Sequence, residues 1–153
     1  MTGSNVREFS DLGGRLLVLF DGNCGFCNAS VRWLLRRDRR DRLRFAPSSS
    51  PRVSDLLRRH GFSVADFPSG PSTMVVVRDA GGPCEQPFLR SDAAAVLLAE
   101  LPQPWRAAGV CLRLIPRPIR DFGYRVIAAI RYRIWGRVEV CPLPTPADRG
   151  RFL

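Results

Sequence analysis

The sequence predicts an α/β domain followed by a helical extension, and three observations predict it. Short continuous apolar runs, Leu16 to Phe20 and Met74 to Val77, have the length of buried strands. Segments with apolar residues at helical spacing alternate with them. The last third changes character: two long apolar and arginine-bearing stretches are broken by Pro116 and Pro118. The length of 153 residues suits one domain. A chain of this size buries about 70% of its unfolded surface, so it needs no disulfide staples.

Residues 1–14 are polar and glycine-containing, a lead-in. Leu16 to Phe20 reads as a buried strand ended by Asp21-Gly22. Residues 25–38 read as a helix. Asn28, Arg32, Arg36 and Arg39 form its polar stripe, and Cys27, Val31, Leu34 and Leu35 its apolar side, widened by Phe26 and Trp33. The arginines at its C-terminal end suit the helix dipole. Leu43 to Ala46 is a second strand, and Pro51 opens a helix ending near His60-Gly61. Residues 62–71 read as a loop, and Thr73 to Arg78 as a third strand. A turn at 80–83 and a fourth strand from Cys84 to Leu89 complete a hairpin. Ser91 is the expected N-cap of a helix over Asp92 to Leu101.

The order β-α-β-α-β-β-α over residues 16–101 is that of a thioredoxin-like domain, with a parallel first pair and an antiparallel hairpin. We set this domain at 15–103. Residues 104–153 form a helical extension and Pro-rich tail packed on it, with two amphipathic helices turning apolar sides inward and arginines to water.

Charge and rare residues narrow the chemistry. There are 24 basic residues against 14 acidic, net +10, and every basic residue is Arg. The absence of Lys excludes a P-loop NTPase or a Schiff-base enzyme. The single histidine, His60, excludes a His-rich metal site, and we read it as a surface residue at a helix end. The arginine bias suits either phosphate-bearing partners or a compositional habit of the source genome; the complete lack of Lys favours the habit, and nucleic acid is not favoured as a partner. The N-terminus has no signal-peptide pattern and no run is long enough to span a bilayer, so the expected location is cytoplasmic. Five cysteines, Cys24, Cys27, Cys84, Cys111 and Cys141, are then expected as reduced thiols, metal ligands or redox groups.

The sharpest feature is Asp21-Gly-Asn-Cys24-Gly-Phe-Cys27, a C-x-x-C placed after a buried strand at the start of a helix. The first cysteine of such a pair sits where free amides and the helix dipole favour a thiolate. That thiolate attacks a disulfide of the substrate, and the second cysteine resolves the mixed disulfide. Cys24 is the expected exposed nucleophile and Cys27 the shielded resolver, on the apolar side with Val31 and Leu34. A zinc site is the competing reading, but it needs a second Cys pair and none is present, so no metal is expected. Neither is an organic cofactor; the couple needs only an external thiol reductant or oxidant.

The stretch LLVLFDGNCGFCNASVRWLLRRD resembles the signature of the thiol-disulfide oxidoreductase DCC family. The resemblance continues through Ser91-Asp92-Ala93, Pro102 to Trp105, Ile115-Pro-Arg-Pro118 with Asp121 and Tyr124, and Arg131-Tyr132-Arg133 with Gly136. It extends to Cys141-Pro142 and the closing Arg151-Phe152-Leu153, covering residues 16–153. One departure is Ile130, where the family often has Asn. The resemblance implies a thioredoxin-like fold and thiol-disulfide exchange, with Cys24 and Cys27 as the catalytic pair and Asp21 as the motif aspartate.

Other residues carry two readings. Asp21 is either a buried carboxylate taking the Cys27 proton or a turn residue. Pro71 is a candidate cis-proline facing the cysteines; alternatively Ser72 or Thr73 occupies that position. With Gly25 and Phe26, these form the candidate substrate-binding set. Cys84 reads as a strand-edge thiol, and Cys111 and Cys141 as packed ones. The function expected is exchange of a Cys24–Cys27 dithiol/disulfide with a protein or small-thiol substrate. The alternative is an Arg-rich binding module for nucleic acid or an anionic membrane surface, without redox turnover.

Overall fold

In a computed structural model of the chain, the described residues are 12–62, 74–137 and 145–153. The elements run β1 (Leu16–Phe20), α1 (Gly25–Arg37), β2 (Leu43–Pro47), α2 (Pro51–Arg59), β3 (Val75–Arg78), β4 (Gln86–Leu89), α3 (Arg90–Glu100), α4 (Trp105–Leu114) and α5 (Arg117–Trp135). A 3-10 turn, Arg149–Arg151, precedes the C-terminus. The sheet order is β2-β1-β3-β4. β1 pairs parallel with β2, Leu16 opposite Leu43, and antiparallel with β3, Leu17 opposite Val77. β3 and β4 pair antiparallel, Val76 opposite Phe88. This is the thioredoxin-like arrangement with C-terminal helices.

The unbroken apolar run of β1 has a direct cause: both of its faces are covered. Leu17 and Leu19 pack toward Val53, Leu56 and Leu57 of α2. Leu16, Val18 and Phe20 pack toward Val31 and Leu34 of α1 and Ala93, Val96 and Leu97 of α3. The free edge of β2 is closed by the chain's end. The Leu153 N–H donates to the Phe45 carbonyl at 2.9 Å, and Phe152 bridges Phe45. A covered edge cannot recruit another strand.

Several expectations change. β4 starts at Gln86, not Cys84, because the Asp79 carboxylate holds the turn: it accepts the Cys84 N–H at 3.0 Å. α3 starts at Arg90 with Leu89 as its N-cap. Ser91 does not cap it, since its hydroxyl donates to Asp121 of α5 instead. Asn28, assigned to a polar stripe, is buried, with its side-chain amide donating to the Gly22 carbonyl at 2.9 Å. Cys111, expected in the core, is exposed.

The largest change concerns the extension. α4 packs on α3 through Gly109, where an added Cβ would lie 2.9 Å from the Ala99 nitrogen. Trp105 meets Trp33 of α1 edge-on at 4.7 Å. α5, however, turns Arg120, Tyr124 and Arg131 inward to polar partners. Its outward face carries exposed Ile119, Phe122, Val126, Ile130 and Ile134. The polar contacts available in the domain decide which side of this helix is buried, against the expectation from amphipathic packing.

Candidate redox site

The site begins where β1 ends. The Asp21 Oδ1 accepts the Asn23 N–H at 2.9 Å, an Asx turn that delivers the chain to Cys24. Cys24 is the N-cap of α1, in extended conformation, and its Sγ accepts the Cys27 N–H at 3.3 Å. A thiolate there would face the free amides and positive end of the helix.

Accessibility reverses the expected order. Cys24 is 0% exposed, while Cys27 is partly exposed. The cover over Cys24 is the C-terminal end of α5. The Gly25 N–H donates to the Gly136 carbonyl at 3.4 Å, and Cys24 forms an isolated antiparallel bridge with Arg137. The rings of Phe26 and Trp135 lie 4.7 Å apart. Gly25 is required by this approach: a Cβ there would sit 2.6 Å from the Trp135 carbonyl oxygen. Gly136 turns the chain over the motif at φ 69°.

α5 also supplies the charge at the site. One Arg131 Nη donates to the Cys27 Sγ at 3.2 Å, and the other to the Tyr132 hydroxyl oxygen at 3.0 Å. The Arg131 guanidinium lies 3.7 Å from the Asp21 Oδ2, which also accepts the Tyr132 hydroxyl. Asp21 and Arg131 are both 4% exposed. Burial pushes the Cys27 thiol up to about 12; its hydrogen bond to Cys24 and the charge there add to this, and Arg131 opposes it. Burial and the bond to Asp21 push Tyr132 up to about 12. Cys27 also walls an apolar cavity of about 470 Å³ between α1, α3 and α5, with Val31, Leu97, Ile127 and Trp135 among its lining.

Of the predicted site residues, Asp21, Cys24, Gly25, Phe26 and Cys27 lie together. Pro71, Ser72, Thr73 and Cys141 lie outside the described residues. Cys84 and Cys111 are exposed. His60 caps α2 and pairs with Glu85 at 2.6 Å, away from the thiols. Among the described residues no group of three His, Cys, Asp or Glu could hold a metal ion. A sequence reading does not assign Arg131, Tyr132 and Gly136 to the site. Their one signal was membership of the tail pattern; a separation of 104 residues between Cys27 and Arg131 hides the contact from any local reading.

Comparison with known proteins places this geometry in context. The model of the DCC1-like thiol-disulfide oxidoreductase family matches residues 18–137. The uncharacterized protein YuxK of Bacillus subtilis (strain 168) is 33% identical over 137 residues, covering 90% of this chain and 93% of that protein. A chloroplastic DCC family protein of Arabidopsis thaliana is 30% identical over 138 residues, covering 90% of this chain and 75% of its own. No solved structure gives a significant match.

Proposed function

Because this chain belongs to the DCC1-like thiol-disulfide oxidoreductase family, we propose that it exchanges a Cys24–Cys27 dithiol/disulfide with a protein or small-thiol substrate. The observation that carries this reading is the unequal treatment of the two sulfurs. Cys24 accepts the Cys27 amide at the start of α1, whereas the Cys27 thiol is held protonated. In the reducing direction the Cys24 thiolate attacks one sulfur of the substrate disulfide and the other sulfur leaves as a thiolate. Cys27 then attacks the Cys24 sulfur, and the second substrate thiolate leaves. Cys24 and Cys27 end oxidised, and the two dithiol protons end on the released thiols. The Arg131 guanidinium lowers the cost of charge on Cys27 at this second step.

Asp21 is assigned a positioning role, since its oxygens already hold Asn23, Tyr132 and Arg131. Gly25 and Phe26 sit beneath the 135–137 segment, so a substrate reaches Cys24 only when that segment lifts. The apolar cavity beside Cys27 suits a substrate with an apolar group next to its disulfide. The reaction uses the dithiol alone with an external thiol reductant or oxidant. We place it in the cytoplasm, where reducing conditions would keep Cys84 and Cys111 as thiols.

The test is a redox titration of the couple with Cys84, Cys111 and Cys141 changed to Ser. A reversible two-electron midpoint between about −120 and −270 mV is expected, the range of known dithiol exchangers. Failure to form the Cys24–Cys27 disulfide overturns the reading.

A further inference from the structure

The outward face of α5 presents an energetic problem. Ile119 is 63% exposed, Phe122 68% and Ile134 62%, with Val126 and Ile130 completing one stripe at helical spacing. This stripe makes the outer face of α5 an apolar ridge, and Val110 and Leu114 (80%) at the end of α4 are exposed as well. Folded chains rarely leave an apolar surface of this extent in water unless something covers it. Rotating α5 to bury the stripe is blocked. Its inward face is committed to Asp92 through Arg120, to the Met74 amide through Tyr124, and to Cys27 and Asp21 through Arg131 and Tyr132.

Charge selects the occupant. Residues 105–137 hold eight arginines and one acidic residue, Asp121. Asp121 is engaged inward with Ser91, so no acidic side chain of α4 or α5 faces the ridge. On α5, Arg125 and Arg133 are exposed beside the apolar stripe. A two-fold dimer through this ridge would set these cations against their own copies, which opposes self-association. Apolar residues on one face with arginines along its borders are what an interfacial helix presents to anionic lipid. Among the described residues no helix is long and apolar enough to cross a membrane, which fits a helix lying on the surface.

We infer that the outer ridge of α5 docks the protein on an anionic lipid bilayer. Phe122, Val126, Ile130 and Ile134 enter the headgroup boundary, and Arg125 and Arg133 meet lipid phosphates. This orientation sets the redox site at the membrane surface. Ile127, exposed next to the stripe, also lines the cavity beside Cys27, so ridge and cavity adjoin along α5. The docking is independent of the exchange reaction, since none of the ridge residues touches either sulfur.

The experiment is flotation of the full chain with vesicles of equimolar phosphatidylcholine and phosphatidylglycerol, against phosphatidylcholine alone. Binding to the anionic vesicles is expected, falling as salt is raised. Phe122→Ser combined with Ile130→Ser should weaken it roughly tenfold or more, and Arg125→Gln or Arg133→Gln by roughly fivefold each. Circular dichroism and an unchanged Cys24–Cys27 midpoint establish that these surface variants are folded. Equal binding to both vesicle types overturns the proposal. So does anionic binding that the Phe122/Ile130 double variant leaves unchanged, because charge alone would then explain it. A dimer in sedimentation that this double variant dissolves, with no vesicle binding, also overturns it and assigns the ridge to a second copy.

Discussion

Cys27 and Tyr132 hold their protons up to about 12, against ordinary values of 9.0 and 10.0. Burial is the first cause for both. Their contribution to stability has a definite sign. Each folded-state value is raised, so the stabilisation is complete below the unfolded value and is lost as pH rises through the folded one. Stability should therefore fall between about pH 9 and pH 12, as the unfolded chain releases protons that the native chain keeps. Tyr132→Phe removes the phenol's share, so its urea midpoint should decline less steeply above about pH 10 than that of the parent. Parallel declines in the two proteins would contradict the assignment. Arg131 shows the same economy at one residue: a single guanidinium contacts Cys27, Tyr132 and Asp21. A local sequence reading gives Asp21 two incompatible roles, whereas the fold lets one oxygen serve the Asx turn and the other serve α5.

The decisive contact between elements is the end of α5 against the start of α1. Trp135 and Gly136 lie on Gly25 with no room for a side chain. Gly25→Ala should push the 135–137 segment away from the motif and uncover Cys24. Alkylation of Cys24 by iodoacetamide, followed by mass spectrometry in a background lacking Cys84, Cys111 and Cys141, is expected to accelerate by about tenfold, as a buried thiol becomes accessible. An unchanged rate, with the fold intact, would mean that the segment does not control access. The helix N-cap itself was legible from C-x-x-C after a strand and a turn. Its cover was not, since nothing in Trp135-Gly136-Arg137 marks that segment as a partner for residues 24–26.

Across the whole molecule, the extension is held to the sheet domain at separate points. Ser91 meets Asp121, Asp92 meets Arg117 and Arg120, and the Met74 amide donates to the Tyr124 hydroxyl at 2.7 Å. The hydrogen bond from Arg117 holds the Asp92 carboxyl below its ordinary value of 3.8. A depressed value stabilises above the unfolded pKa and is lost as pH falls through the folded one. Asp92→Asn should thus remove part of the loss of stability below about pH 4. It also leaves the Arg120 side chain, 8% exposed, without its carboxylate. We expect a cost of about 1–3 kcal/mol at neutral pH, read from urea unfolding. Far-UV and tryptophan signals should still coincide in the parent, reporting one cooperative unit; separate transitions would mean that the extension unfolds alone.

Local chemistry in the sequence determined the elements and the placement of the cysteine pair at a helix start. The apolar run of β1, the proline at the start of α2, the proline break between α4 and α5, and the two cysteines of the motif are short-range signals that need no distant partner. The tail residues that match the family carry that resemblance without any tertiary contact. Tertiary structure decided what depends on distant groups meeting. It buried Cys24 under residues 135–137, turned Asn28 inward, drew Ser91 away from its helix, and left Cys111 in water. Above all it decided which face of α5 points out. Both faces carry apolar residues and arginines, so periodicity alone cannot choose between them. The choice falls to the buried polar groups, because Asp21, Cys27 and Asp92 are satisfied only when Tyr132, Arg131 and Arg120 face inward.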